Sequence, residues 1–275
     1  MRRSPVLAPG VALLAAALLL GPSVNAAPAK TSKVGPRAAT VKVIRTIPKA
    51  PDAFTEGLEV HGGIIYESTG LFGQSEIRAV DLKTGKILRR VPLDPAQFGE
   101  GLTMGPAGRF VQLTWKNNVA LIRNQKSLAQ IGTLRYEGEG WGLCYNSGSR
   151  AFVQSDGSST LTLRDPQTFK RISSIPVTIA DEAPPTGINE LECDGRSIIA
   201  NVWLTNRILV IDLASGRVSR VIDASSIAPT VASSTDDILN GIARLGTGRY
   251  LLTGKRWPAY YEVSFVDAGP LRMAG

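Results

Sequence analysis

Polar residues able to exchange protons or hydrogen bonds with a bound molecule recur at matching places along this sequence: Glu56, Glu100, Asn189, Glu190, Asn240 and Lys255. Glu100 stands between Gly99 and Gly101, so its carboxyl can approach a bound molecule with little steric hindrance. Each residue also has a plainer reading. Glu100 could be a turn carboxylate bonded to backbone amides, and Lys255, between Gly254 and Arg256, a solvated turn lysine. Asn189 and Asn240 could simply satisfy turn backbones.

Aromatic residues accompany these groups. Trp115, Trp141, Trp203 and Trp257 are the only tryptophans, and all four fall at equivalent positions of the repeat described below. Tryptophan in a repeated sheet fold commonly packs between sheets, but four confined to equivalent tips suggest an aromatic-lined pocket. Pro258 follows Trp257 and ends its strand, so Trp257 is expected to pack only. Other chemistries lack their residues. His61 is the only histidine and there are two cysteines, which leaves a multi-histidine or clustered-cysteine zinc site without ligands. A Ser-His-Asp hydrolase would have to use His61, at the wrong end of its strand. No phosphate-binding glycine loop introduces a helix. A calcium ion in a central channel stays open, although no dedicated loop is present for it.

The elements that must position these residues are repeated strands. Phe54-Thr55-Glu56-Gly57-Leu58 opens one copy and Phe98-Gly99-Glu100-Gly101-Leu102 the next. Gly140-Trp141-Gly142-Leu143, Asn189-Glu190-Leu191 and Asn240-Gly241-Ile242 open three more. From Leu58 to Leu102, Leu143, Leu191 and Ile242 the intervals are 44, 41, 48 and 51 residues. Each opening reads as a turn and leads into a short strand, a glycine-containing turn and a second strand with apolar alternation. That period in strand-dominated segments predicts an all-β, five-bladed β-propeller. Val41–Ile47 is an unassigned strand ahead of the first copy, so it is expected to complete the last blade and close the ring. A β-sandwich would not repeat at this interval. Helical periodicity is nearly absent, apart from a possible short turn within Ser225–Leu239. Thr178–Gly187 and Ser225–Asp236 are the longest irregular connections, either lids or surface loops.

The first residues stand outside this scheme. Arg2 and Arg3, the apolar run Val11–Leu20 and the small residues Val24-Asn25-Ala26 read as a secretory signal peptide over 1–26. A flexible lead-in is expected over 27–40, the propeller over 41–267 and a short tail over 268–275. The apolar run is too short for a comfortable membrane span, so no stable span is expected after cleavage. The product is expected to be exported, periplasmic or secreted. Removing Arg2 and Arg3 lowers the formal charge from +8 to +6, and the remaining basic residues are scattered without interleaved aromatics, unlike a nucleic-acid surface. Cys144 and Cys193 follow equivalent motifs in successive repeats, and either one disulfide or two buried thiols fits.

The set Phe54–Leu58, Phe98–Leu102, Glu139–Leu143, Asn189–Glu192, Leu239–Ala243 and Thr253–Pro258 resembles the plant and bacterial type of glutaminyl-peptide cyclotransferase, a five-bladed propeller family. The likeness runs from about Val41 to Phe265. It implies conversion of N-terminal glutamine of peptides or proteins to pyroglutamate, with release of ammonia and without metal or other cofactor. By the same resemblance Glu100 would be the general acid/base, and Asn189 and Lys255 would hold the amide and stabilise the oxyanion. Trp115, Trp141 and Trp203 would form the aromatic wall, with Phe54 and Glu56 at the rim. The plant-like motif commonly has glutamine where this chain has Glu56. A carboxylate there could grip the substrate's α-ammonium, or raise the pKa of Glu100 if the two are close. A monomer is expected. The competing class is a non-catalytic propeller that binds peptide or protein through its aromatic mouth; it would need the tryptophans but not the polar trio. A propeller hydrolase or lactonase would instead need a central metal.

Overall fold

The computed structural model describes residues 35–230 and 236–270, so the expected signal peptide lies outside the described residues. The fold is all-β. Strand β1 (Arg37–Pro48) precedes a first antiparallel sheet of β2 (Thr55–His61), β3 (Ile64–Thr69), β4 (Glu76–Asp81) and β5 (Ile87–Pro92). A second contains β6 (Gly99–Gly105), β7 (Arg109–Thr114), β8 (Val119–Asn124) and β9 (Gln130–Arg135). The third is β10 (Leu143–Asn146), β11 (Ala151–Gln154), β12 (Thr160–Arg164) and β13 (Arg171–Pro176). The fourth unit is β14 (Ile188–Asp194), β15 (Ser197–Val202), β16 (Arg207–Asp212) and β17 (Val218–Asp223). The last is β18 (Leu239–Gly246), β19 (Arg249–Gly254) and β20 (Ala259–Pro270), to which β1 adds antiparallel along its whole length.

Strand β1 therefore supplies a fourth strand to the fifth unit, as the sequence suggests. It also runs parallel to β17 over Arg37–Thr40, which joins the fourth and fifth units into one eight-stranded sheet. The strand begins at Arg37, ahead of the expected Val41, so the end of the expected lead-in is ordered sheet. At the other end β20 reaches Pro270, into the expected tail. Both extensions have one cause: Arg37 and Ala38 pair with Pro270 and Gly269, so each end gives the other a partner. Between Ser225 and Leu239 the described residues hold only a one-turn 3₁₀ segment, Ser225–Ile227.

Local chemistry sets the outer hairpins. Asp81 Oδ1 accepts from the Lys83 and Thr84 amides at 3.1 and 2.8 Å, and Asp165 and Asp212 close the same turn in later units. Packing then assembles the units. The first strands β2, β6, β10, β14 and β18 touch in a closed cycle, β18 returning to β2. Five apolar cores fill the five junctions, for example Tyr66, Ile77, Leu102 and Phe110 between the first two units, and Ile47, Leu58, Leu251 and Tyr260 between the last and the first. Cys144 on β10 is bonded to Cys193 on β14, with Cα atoms 5.4 Å apart. This settles the choice that the sequence leaves open.

Candidate active site

The segments that read as opening turns are β-bulges in the first strand of four units. Pairing shifts register between Thr55 and Gly57, Gly99 and Leu102, Ile188 and Leu191, and Leu239 and Ile242. The residues inside these bulges are Glu56, Glu100, Asn189-Glu190 and Asn240. A bulge leaves residues out of the ladder and re-aims their side chains, which is how a sheet can send polar groups to one end of a ring. Neighbouring units come too close there for side chains at the glycines. A Cβ on Gly101 would lie 2.6 Å from the Leu143 amide nitrogen, and one on Gly142 would collide with the Asn189 carbonyl oxygen.

Glu100, Asn189, Lys255, Phe54, Glu56, Trp115, Trp141 and Trp203 all line one cavity of about 360 Å³. Glu190 and Asn240 are not among the lining residues: Glu190 accepts from the Leu58 and Ile242 amides, and Asn240 donates to the Thr55 carbonyl and to Glu56. Trp257 is left out: it is 1 % exposed in the core between the fourth and fifth units, its indole donating to the Asp237 carbonyl at 3.0 Å. Of the two long connections, Ser225–Asp236 contributes Asp236 to the wall, and Thr178–Gly187 contributes none of the lining residues.

Within the cavity Glu100 is 6 % exposed, and no described residue donates a hydrogen bond to its carboxyl. Burial, and then the charge of Glu56, hold its pKa well above the usual carboxylate range; the Lys255 ammonium pulls it back and Glu139 pushes it up. Glu56 is 2 % exposed, so it belongs to the buried wall and not to the rim where the sequence reading puts it. The physical reason is its bulge, which turns the carboxylate inward. One oxygen pairs with Lys255 Nζ at 2.8 Å and the other accepts from Asn240 Nδ2 at 2.9 Å. Burial raises the pKa of Glu56 too, offset by the charge and hydrogen bond of Lys255 and by Asn240. Lys255 Nζ also lies 4.7 Å from the centre of the Phe54 ring, a cation–π contact.

Asn189 is 3 % exposed, and its side-chain oxygen is buried without a hydrogen-bond partner among the described residues. An orphaned buried amide oxygen costs about 1–3 kcal/mol, so its place in a cavity wall points to a ligand that satisfies it. Its backbone is fixed: the Asn189 carbonyl accepts from Ser155 Oγ at 2.6 Å, which in turn accepts from the Gly142 amide at 2.7 Å. The set therefore combines a protonatable carboxyl, an ammonium and an unsatisfied amide between aromatic faces.

A family profile described as glutamine cyclotransferase matches residues 13–265. The chain belongs to the glutamine cyclotransferase family. A protein of Arabidopsis thaliana named glutaminyl-peptide cyclotransferase is 34 % identical over 234 residues, covering 83 % of this chain and 72 % of that one. The crystal structure of Myxococcus xanthus glutaminyl cyclase superposes with a TM-score of 0.77 at 37 % identity, covering 84 % of this chain and all of that one.

Three features of this glutamine cyclotransferase site escape a reading by sequence motifs. Phe98 lines the cavity, its ring 5.5 Å from Trp115 and 6.3 Å from Phe54. It occupies the same repeat position as Phe54 in the aligned openings, the signal by which it could have been named as a site residue beside Phe54. Glu139 is the second: a single oxygen, Oε2, accepts from both Trp115 Nε1 at 2.8 Å and Trp141 Nε1 at 3.0 Å. Its other oxygen faces Lys116 Nζ at 3.4 Å, and that ammonium lies 3.9 Å from the Trp115 ring centre. Partial burial pushes the Glu139 pKa up, but the two indoles and Lys116 outweigh it and hold the group ionised. The third is Lys49, buried behind the site. It donates to the Ala53 and Gly254 carbonyls at 3.0 and 3.2 Å and faces Glu67 at 3.7 Å. Glu67 accepts from Thr55 and Tyr260 at 2.6 and 3.0 Å. This buried network ties the start of the first unit to the end of the fifth, and so sets Glu56 against Lys255.

Proposed function

We propose that this chain is a glutaminyl-peptide cyclotransferase, closing the N-terminal glutamine of peptides and proteins to pyroglutamate with release of ammonia. The observation that carries the proposal is Glu100, a buried carboxyl to which no described residue donates a hydrogen bond, in a cavity that also holds Lys255 and Asn189, whose side-chain oxygen has no partner among the described residues. The substrate's neutral α-amine attacks its own γ-carboxamide carbon, and the walls hold this five-membered near-attack geometry. Lys255 and Asn189 hold the amide and stabilise the oxygen as it becomes anionic. Glu100 takes one proton from the attacking amine as the N–C bond forms. It returns that proton to the amide nitrogen as the C–N bond breaks, so the products are the lactam and ammonia. Trp115, Trp141, Trp203 and Phe54 enclose the reacting groups and limit access of water. Each step uses side chains of this chain and calls for no metal or other cofactor.

The same reading extends to the molecule. The five units, their closed cycle of first strands and the five junctional cores support a five-bladed propeller closed through β1. The charged, apolar and small-residue segments of the first 26 residues support export to the periplasm or beyond, as does the Cys144–Cys193 bond, since disulfides persist in oxidising compartments. No helix among the described residues is long and apolar enough to cross a membrane. The residues named in the reaction all come from one chain, in keeping with a monomeric enzyme, and its partners are glutamine-initiated peptides, not nucleic acid.

The test is Glu100→Gln, assayed with a glutamine-initiated dipeptide. The substitution keeps the size of the side chain and removes proton transfer, so kcat should fall by about 10²–10⁴-fold while the melting curve stays cooperative. Turnover like that of the unmodified enzyme would remove Glu100 from the mechanism.

A further inference from the structure

Leu71 stands in the left-handed region of backbone space, with φ of 84°. A residue with a side chain pays about 1–2 kcal/mol there, and glycine, which flanks this stretch at Gly70 and Gly73, does not. Of the other apolar residues with positive φ, Leu128 and Phe169 are fully buried in cores, while Ala107 and the 54 % exposed Leu204 stand in turns at the surface. Leu71 is absent from the apolar cores. It lines the active-site cavity instead. Backbone conformation alone favours glycine at this position, and the leucine that stands there places an apolar side chain where a molecule in the cavity would touch it.

The segment that presents it is held in place. The Leu71 carbonyl accepts from the Gln74 amide at 3.0 Å and Ser75 Oγ at 2.8 Å, and the Gly73 amide donates to the Pro95 carbonyl at 3.0 Å. Ser75 Oγ also accepts from the Gly99 amide at 3.0 Å, tying this segment to the strand that carries Glu100. Next to Leu71, Phe72 is 54 % exposed and sets its ring edge-on against Phe98, centroids 5.5 Å apart. An apolar wall thus runs from Phe54 and Trp115 inside the cavity, through Phe98, to a free aromatic ring outside it.

Resting on the cyclotransferase reading, we propose that Leu71, Phe72 and Phe98 form a subsite for the side chain of the second substrate residue, making the preferred substrates peptides with a bulky apolar residue after the N-terminal glutamine. The glutamine occupies the end of the cavity nearest Glu100, and the chain leaves toward solvent. A side chain on the second residue then meets the wall where it emerges, and its burial against Phe72 adds binding that a glycine at that position does not obtain.

The experiment compares Gln-Phe and Gln-Gly dipeptide amides on the unmodified enzyme, on Phe72→Ala and on Leu71→Gly. The unmodified enzyme should favour Gln-Phe by about ten-fold in kcat/KM. Phe72→Ala should reduce that preference to within about two-fold while Gln-Gly turnover changes little. Leu71→Gly should also lose preference, while melting no lower than the parent, which a purely structural role would not allow. Equal rates on the two dipeptides with the unmodified enzyme would overturn the subsite while leaving the cyclotransferase reading intact. So would a preference that survives both substitutions. Turnover of neither dipeptide by folded protein would instead overturn the reading on which the subsite rests.

Discussion

Glu100 and Glu56 are two buried carboxyls facing one ammonium, and their contrast explains why they have different parts. Glu56 is committed to Lys255 and Asn240, so it is poorly placed to grip a substrate ammonium. What remains of the two sequence expectations for Glu56 is its influence on Glu100, whose pKa its charge raises. The sign of the pH effect follows. In the proposed mechanism the ionised Glu100 accepts the amine proton, so kcat/KM falls as pH drops through the raised pKa of Glu100 in the free enzyme. Glu56→Gln removes the neighbouring negative charge and leaves Lys255 less neutralised; both changes lower the pKa of Glu100. The acid limb of the kcat/KM profile should therefore move to lower pH. A limb that stays put or moves upward would show that Glu56 does not act on the titrating group.

At the scale of elements, the bulges at the start of β2, β6, β14 and β18 turn a repeated ladder into a site. The third unit differs, for β10 starts at Leu143 and the residues ahead of it carry Trp141 and Glu139. Glu139 then links the second unit to the third by holding Trp115 and Trp141 through one oxygen. Gln154 steadies the segment, its side-chain amide donating to the Glu139 carbonyl at 3.0 Å. Hydrogen bonds to a charged group contribute about 1.5–3 kcal/mol each, so the wall depends on this carboxylate. Glu139→Ala should raise KM more than it lowers kcat and should shift the tryptophan emission. Glu139→Gln, which keeps an acceptor, should restore most of the KM. Equal KM in both variants would deny Glu139 this positioning role.

For the whole molecule, the Cys144–Cys193 bond closes a loop of sequence separation 49 across two neighbouring first strands. Constraint of the unfolded chain at that length contributes about 4 kcal/mol. Replacing both cysteines by serine should then lower Tm by about 10 °C, read by calorimetry, while the cavity walls and turnover at 25 °C persist. An unchanged Tm would mean that the bond adds little to stability. How much of this was legible in the sequence follows the range of the interactions. The openings from Phe54 to Ile242 are local patterns repeated at a regular interval, so they revealed the units and the residues that meet in the cavity. That Gly-Glu-Gly forms a bulge and not a turn depends on the pairing strand, which local sequence does not specify. Lys49 stayed hidden because its partner Gly254 lies 205 residues away and is met only when the ring closes. Glu139 was visible as part of a motif, but its role needs two indoles brought together from different units.

The central claim concerns what the assembled molecule does, and the most direct measurement is ammonia release from a glutamine-initiated dipeptide, matched against pyroglutamyl product, with and without chelator. The account predicts ammonia and product in equal amounts at a rate that chelator leaves unchanged. Folded protein that releases neither would contradict the cyclotransferase reading, and release abolished by chelator and restored by metal would contradict the mechanism built on Glu100, Asn189 and Lys255.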